Sequence, residues 1–147
     1  MANSISIVVK DGKFFIFSEI AGKMGGTTPA PVFRVETVDD GWSDEQLGRL
    51  IAGCISHCSQ FLEVEGWDNP RALDVALNKF GYSSFADLRR ESLWIYVEGE
   101  GGIVTVYPSK RLGKRSPTFE GLKEIVIDSG LAEDLGEGIR RAISLSS

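Results

Sequence analysis

Cys54, His57 and Cys58 fall within five consecutive positions, and their side chains are those that hold zinc or form a Cys–His nucleophilic pair. A helix through them puts Cys54 and Cys58 one turn apart on a shared face, which supplies part of a tetrahedral site and no more. No second group of Cys or His completes the set, because His57 is the single histidine and these are the two cysteines. Thiols so placed read as buried packing residues in a reducing cytosol, since a continuous helix rarely gives a disulfide its dihedral. The expectation is no metal, no cofactor and no catalytic residue. The rival reading is a small enzyme or ligand-binding domain that uses this cluster or the glycine-rich loop 21–31.

Other stretches carry reactive or charged side chains. "GKMGGTT" and "GKRS" do not fit the G-x-x-x-x-G-K-[ST] spacing, and neither lies between a buried strand and a helix start, as phosphate cradling requires. Lys110, Arg111, Lys114 and Arg115 form a basic loop without interleaved aromatics, which reads as solvated loop rather than RNA groove. Carboxylates gather around two tryptophans. Glu36, Asp39, Asp40, Asp44 and Glu45 surround Trp42, while Glu63, Glu65 and Asp68 surround Trp67. Acidic residues ahead of helices are favourable without any ligand. The functional alternative is an anionic surface with aromatic anchors, suited to a basic protein, to which Glu98 and Glu100 at a hairpin tip would add. Trp42 and Trp67 fit core and interface alike.

These residues need elements to position them. "SISIVVK", "DG" and "KFFIFSEI" spell a hairpin, followed by a long loop over Ala21 to Pro31 and a third strand "VFRVETV". Ser43 with Gln46 makes a capping box, and Leu47, Leu50, Ile51, Cys54, Ile55, Cys58 and Phe61 make one apolar helical stripe. A second helix runs to a stop at Gly81, and a short third one passes through "SFADLRRE". "LWIYVEGEGGIVTVYP" is another hairpin, "LKEIVID" a strand, and a helix begins near Ala132. Adjacent hairpins favour an α+β fold: one domain over 1–147, mainly an antiparallel sheet of five or six strands with three or four helices segregated to a face.

One phrase occurs twice. Glu45, Leu47, Gly48, Ile51, Ile55, Ser56 and Ser59 recur 88 positions later as Glu133, Leu135, Gly136, Ile139, Ile143, Ser144 and Ser147. A glycine inside a helix costs up to about 1 kcal/mol against alanine, so its reuse at one site implies close approach of another backbone. This is a packing solution used twice, and one pair is too few for a solenoid.

The bulk numbers exclude some classes. A net charge of −5 disfavours a general nucleic-acid binder, whose surface field is positive. The N-terminus "MANSISIVVKDGK" lacks the basic and long apolar regions of a secretory leader, and no apolar run is long enough to span a bilayer.

"YSSFADL", then a hairpin ending in "VTVYPS", then "LKEIVIDSGLAEDLGEGIRRAISLSS" resembles the immunity proteins of bacterial contact-dependent growth inhibition systems. The similarity is clearest over residues 82–147. It implies a cytoplasmic, non-enzymatic protein that binds and neutralises the cognate toxin's C-terminal domain, commonly a basic nuclease, with no nucleic acid or membrane bound directly. The toxin-binding candidates are then Asp39, Asp40, Trp42, Asp44, Glu45, Glu63, Glu65, Trp67, Asp68, Glu98 and Glu100.

Overall fold

The computed structural model describes residues 3–21, 27–39, 41–58, 71–116, 118–128 and 131–147. Strands β1 (Asn3–Lys10) and β2 (Lys13–Ala21) close through Asp11-Gly12. Both turn residues have positive φ, 53° and 74°, as the twist of a two-residue hairpin demands. Strand β3 (Thr27–Thr37) pairs with β2 at the sheet's edge, where Pro29 and Pro31 can lack a donor on the unpaired side. The stretch expected as a loop over 21–31 is therefore strand at both ends, and residues 22–26 lie outside the described residues.

Strands β4 (Leu93–Glu100) and β5 (Ile103–Tyr107) turn through Gly101-Gly102, again both at positive φ. With β8 (Ile125–Asp128) they complete a six-stranded sheet in the order β3-β2-β1-β4-β5-β8, antiparallel at every described pairing. The expected basic loop holds a second, two-stranded sheet, β6 (Ser109–Arg111) with β7 (Phe119–Gly121). Ser147 runs along the other side of β6, its N–H donating to the Ser109 carbonyl (3.1 Å) and its carbonyl accepting from the Arg111 N–H (2.8 Å).

Four helices are described: α1 (Asp44–Ser56), α2 (Ala72–Asn78), α3 (Phe85–Arg89) and α4 (Ala132–Leu145). The capping box at the head of α1 is present in both directions: Ser43 Oγ accepts from Gln46 N–H (3.1 Å), and Gln46 Oε1 accepts from Ser43 N–H (2.8 Å). Ser84 caps α3 by accepting from the Asp87 N–H (3.0 Å).

The repeated glycines meet. A methyl placed on Gly48 would fall 1.7 Å from the Ala132 carbonyl oxygen, and one on Gly136 would fall 1.8 Å from that of Asp44. The contact is reciprocal: each glycine approaches the first residue of the other helix, and Asp44 and Ala132 are themselves related by the 88-residue offset. The helices thus cross backbone on backbone, which explains why the phrase carries glycine in both copies. Around the crossing, Leu47, Ile51, Leu135 and Ile139 are buried, each worth about 1.5–3 kcal/mol.

Side-chain alternation sorts the sheet into two faces. Ile5, Ile7, Phe14, Ile16, Ile95, Val97, Val104, Val106 and Ile127 face α1 and α4. Val8, Phe15 and Phe17 face the other way, against Leu73 and Leu77 of α2 and Leu88 of α3. The class is α+β, as the hairpin pattern indicates. The helices, however, cover both faces rather than one, because the strand period buries both sides of β1 and β2.

Candidate functional site

The cysteine–histidine group does not assemble. Cys54 and Cys58 are buried in the α1 face, where Cys58 Sγ donates to the carbonyls of Ser4 and Cys54, each at 3.4 Å. Burial pushes both thiols above their ordinary range, so neither is a ready thiolate. His57 instead lies exposed, with Nδ1 2.7 Å from the Gly53 carbonyl. Among the described residues no three His, Cys, Asp or Glu side chains are grouped to hold a metal.

The carboxylates at the head of α1 are engaged within the protein. Asp39 Oδ1 accepts from the Gly41 N–H at 2.8 Å, fixing the turn. Asp44 pairs with Arg140 of α4 at 2.8 Å, and the same guanidinium donates to the Trp42 carbonyl. Glu45 pairs with Arg49 one turn on. Trp42 is half-buried and packs against the core under α1. Asp40, Glu63, Glu65, Trp67 and Asp68 lie outside the described residues.

The basic loop is organised by one of its own members. Arg111 donates to the backbone carbonyls of Arg89, Ser92 and Ser116 and lies 4.6 Å from the Phe119 ring centroid. Arg115 pairs with Glu91 at 2.9 Å. A guanidinium's fork suits three carbonyls at once, so Arg111 ties the loop to the end of α3.

Glu98 and Glu100 belong to a different surface. Glu100 adjoins the Gly101-Gly102 turn, but Glu98 lies within β4, opposite Ser4 on one side and Thr105 on the other, so it is not at the hairpin tip. Alternation puts Trp94, Tyr96, Glu98 and Glu100 on one face of β4, the face turned away from α1 and α4. Tyr107, Thr105 and Ile103 of β5 and Val126 and Asp128 of β8 continue it. The β1–β2 half of this face is sealed by α2 and α3, whereas Ile103 and Val126 stand 48% and 62% exposed on the β5–β8 half.

The Tyr96 and Tyr107 rings lie 5.8 Å apart, and Glu98, Glu100, Ile103 and Thr105 line a depression of about 200 Å³ beside them. Burial pushes both phenols upward, with the charges of Glu98 and Glu124 adding at Tyr107, so both hydroxyls stay protonated donors. The surface therefore offers aromatic area, phenolic donors and carboxylates. Sequence reading named its two glutamates and missed the aromatics beside them, although W-x-Y-x-E on one strand already aligns all three side chains.

No family model matches the chain, and no curated protein matches it in sequence. Solved structures do match its fold. One is a protein of unknown function from Neisseria meningitidis, 11% identical, with a TM-score of 0.71 over 100% of this chain and 96% of that one. Another is a chain of the CdiA-CT/CdiI toxin and immunity complex from Yersinia pseudotuberculosis, 14% identical, with a TM-score of 0.69 over 100% of this chain and 98% of that one. At these identities the likeness is one of fold.

Proposed function

We propose that this protein is a non-enzymatic immunity protein of a contact-dependent growth inhibition system, acting in the cytoplasm by binding and neutralising a cognate toxin domain. The observation that carries the reading is the open half-face of β4, β5 and β8, where Tyr96 and Tyr107 stand among Glu98, Glu100 and Asp128. Aromatic anchors rimmed by one sign of charge are the chemistry of a surface for a basic partner, such as a nuclease domain. The whole-length likeness to a chain of a toxin and immunity complex supports the same reading. The carboxylates at the head of α1 contribute less to the proposed contact, since Asp39, Asp44 and Glu45 have partners of their own.

The test is association with toxin domains encoded beside this gene, followed by stopped flow. Glu98→Lys, Glu100→Lys and Asp128→Lys together should slow association by about tenfold or more at low salt and flatten its salt dependence. Reversal of Asp39, Asp40 and Asp44 should lower stability by loss of the Arg140 pair and change association less. If no neighbouring toxin domain binds, the function is wrong. If binding survives the first triple substitution and fails with the second, the function stands and the surface is wrong.

A further inference from the structure

Where α3 meets β4 and the end of β2 there is a cavity of about 320 Å³, lined by Glu19, Thr27, Phe85, Arg89, Trp94 and Tyr96 among others. It has room for about ten waters, or a ligand of that size. Glu19 is only 9% exposed, with the hydroxyls of Ser6 and Thr27 beside its carboxyl. Arg89 lies across aromatic faces, its guanidinium carbon 5.2 Å from the Phe85 centroid, 4.8 Å from Trp94 and 5.2 Å from Phe119. The two charges attract, yet among the ion pairs of the described residues neither Glu19 nor Arg89 takes part.

The polar atoms are also incomplete. Arg89 Nε–H and Trp94 Nε1–H are buried with no acceptor, and the buried Ser6 hydroxyl has no partner of hydrogen-bonding geometry. Buried donors are almost always paired in native structures, so two on one cavity wall call for an explanation. A simple anion would meet Glu19, a simple cation would meet Arg89, and a neutral apolar ligand would leave both buried donors without an acceptor. An occupant carrying both charges offers an acceptor to Arg89 and Trp94 and a donor to Glu19.

We propose that this cavity binds a small zwitterion of the α-amino-acid type, its carboxylate taken by Arg89 and the Trp94 indole N–H, its ammonium by Glu19. Phe85 and Tyr96 supply apolar wall for the side chain. Burial raises the Glu19 carboxyl and lowers the Arg89 guanidinium from their ordinary values, and each charged end of the ligand opposes one of those shifts. The cavity borders the open half-face at Tyr96, and amino-acid binding in it does not depend on the toxin reading.

The test is thermal shift and calorimetry on the full chain with the twenty free amino acids at about 10 mM, where even a millimolar Kd raises stability measurably. At least one should bind. Its N-acetyl and its carboxamide derivatives should each bind about tenfold weaker or less well still, through loss of one charge-assisted contact. Glu19→Gln should weaken binding by at least about tenfold with circular dichroism unchanged, and Trp94→Phe should weaken it while keeping the ring. No binding by any amino acid, or equal binding by the N-acetyl form, would overturn the proposal. Loss of toxin affinity in Glu19→Gln without any amino-acid binding would also overturn it, and would give the cavity to side chains of a partner.

Discussion

The two faces of the six-stranded sheet are packed by opposite means. Under α1 and α4 the core is mainly aliphatic, and the two helices approach so closely that Gly48 and Gly136 have no room for a methyl. On the other face, aromatic rings fill the space beneath α2 and α3, a buried carboxylate and a half-buried guanidinium form no ion pair among the described residues, and the sheet beyond them is open. The first face spends its residues on close packing. The second retains polar groups that raise the free energy of folding.

Substitutions at four places would break or sharpen this contrast. The largest effect is expected at the glycine crossing, where Gly136→Ala should cost about 3 kcal/mol or more, since a backbone carbonyl cannot yield as a side chain can. Gly48→Ala should cost a similar amount. Both together should cost less than their sum, because separating the helices once relieves both clashes. Urea titration of the two single variants and the double decides it, and additive costs would mean the crossing is not one shared contact.

Next comes Arg111→Lys, expected to cost about 2 kcal/mol, because an ammonium cannot reach three carbonyls in a fork. Proteolysis of the 109–121 loop should accelerate with it, and protection equal to wild type would refute the staple.

The third is a gain. Burial raises the Glu19 carboxyl, so the folded chain holds this proton more tightly than the unfolded one. Stability from this group is therefore greatest at acid pH and falls as pH rises from the ordinary carboxyl range through the raised value. Glu19→Gln should then stabilise the chain by about 0.5–2 kcal/mol at neutral pH, and the gain should vanish at acid pH. Thermal melts at a series of pH values read this directly, and a gain that grows toward acid would reverse the sign.

The smallest effect is expected on the open half-face. Val126→Ser should change stability by less than about 0.5 kcal/mol, because the side chain is already mostly in water. A cost like that of Ile51→Ala, about 2–5 kcal/mol, would mean this half of the sheet is covered after all.

Much of the first face was legible in the sequence, because its signals are local. The capping box, the apolar stripe of α1 and the paired glycines each sit within a few residues, and the repeat at 88 positions announced the close approach. The second face was not, because which strands are covered depends on distant helices. "FSEI" gives no sign by itself that Glu19 is buried, although F-x-F-x-E on one strand does align the carboxylate with Phe15 and Phe17. Arg111 looked like one of four solvated cations, and only the fold brings it to the carbonyls at the end of α3. "TTPAP" read as loop because proline disfavours strands, and an edge position lifts that objection.

The glycine crossing also sets a clock for synthesis. Gly136 leaves the ribosome 88 residues after Gly48, a delay of about 4–18 s at roughly 5–20 residues per second. Through that interval the apolar stripe of α1 has no partner helix, and neither do the strand residues that α4 will cover. The nascent chain therefore presents a greasy half-built sheet for seconds on every round of translation, a natural client surface for chaperones, and a slow codon between the two helices would lengthen the exposure.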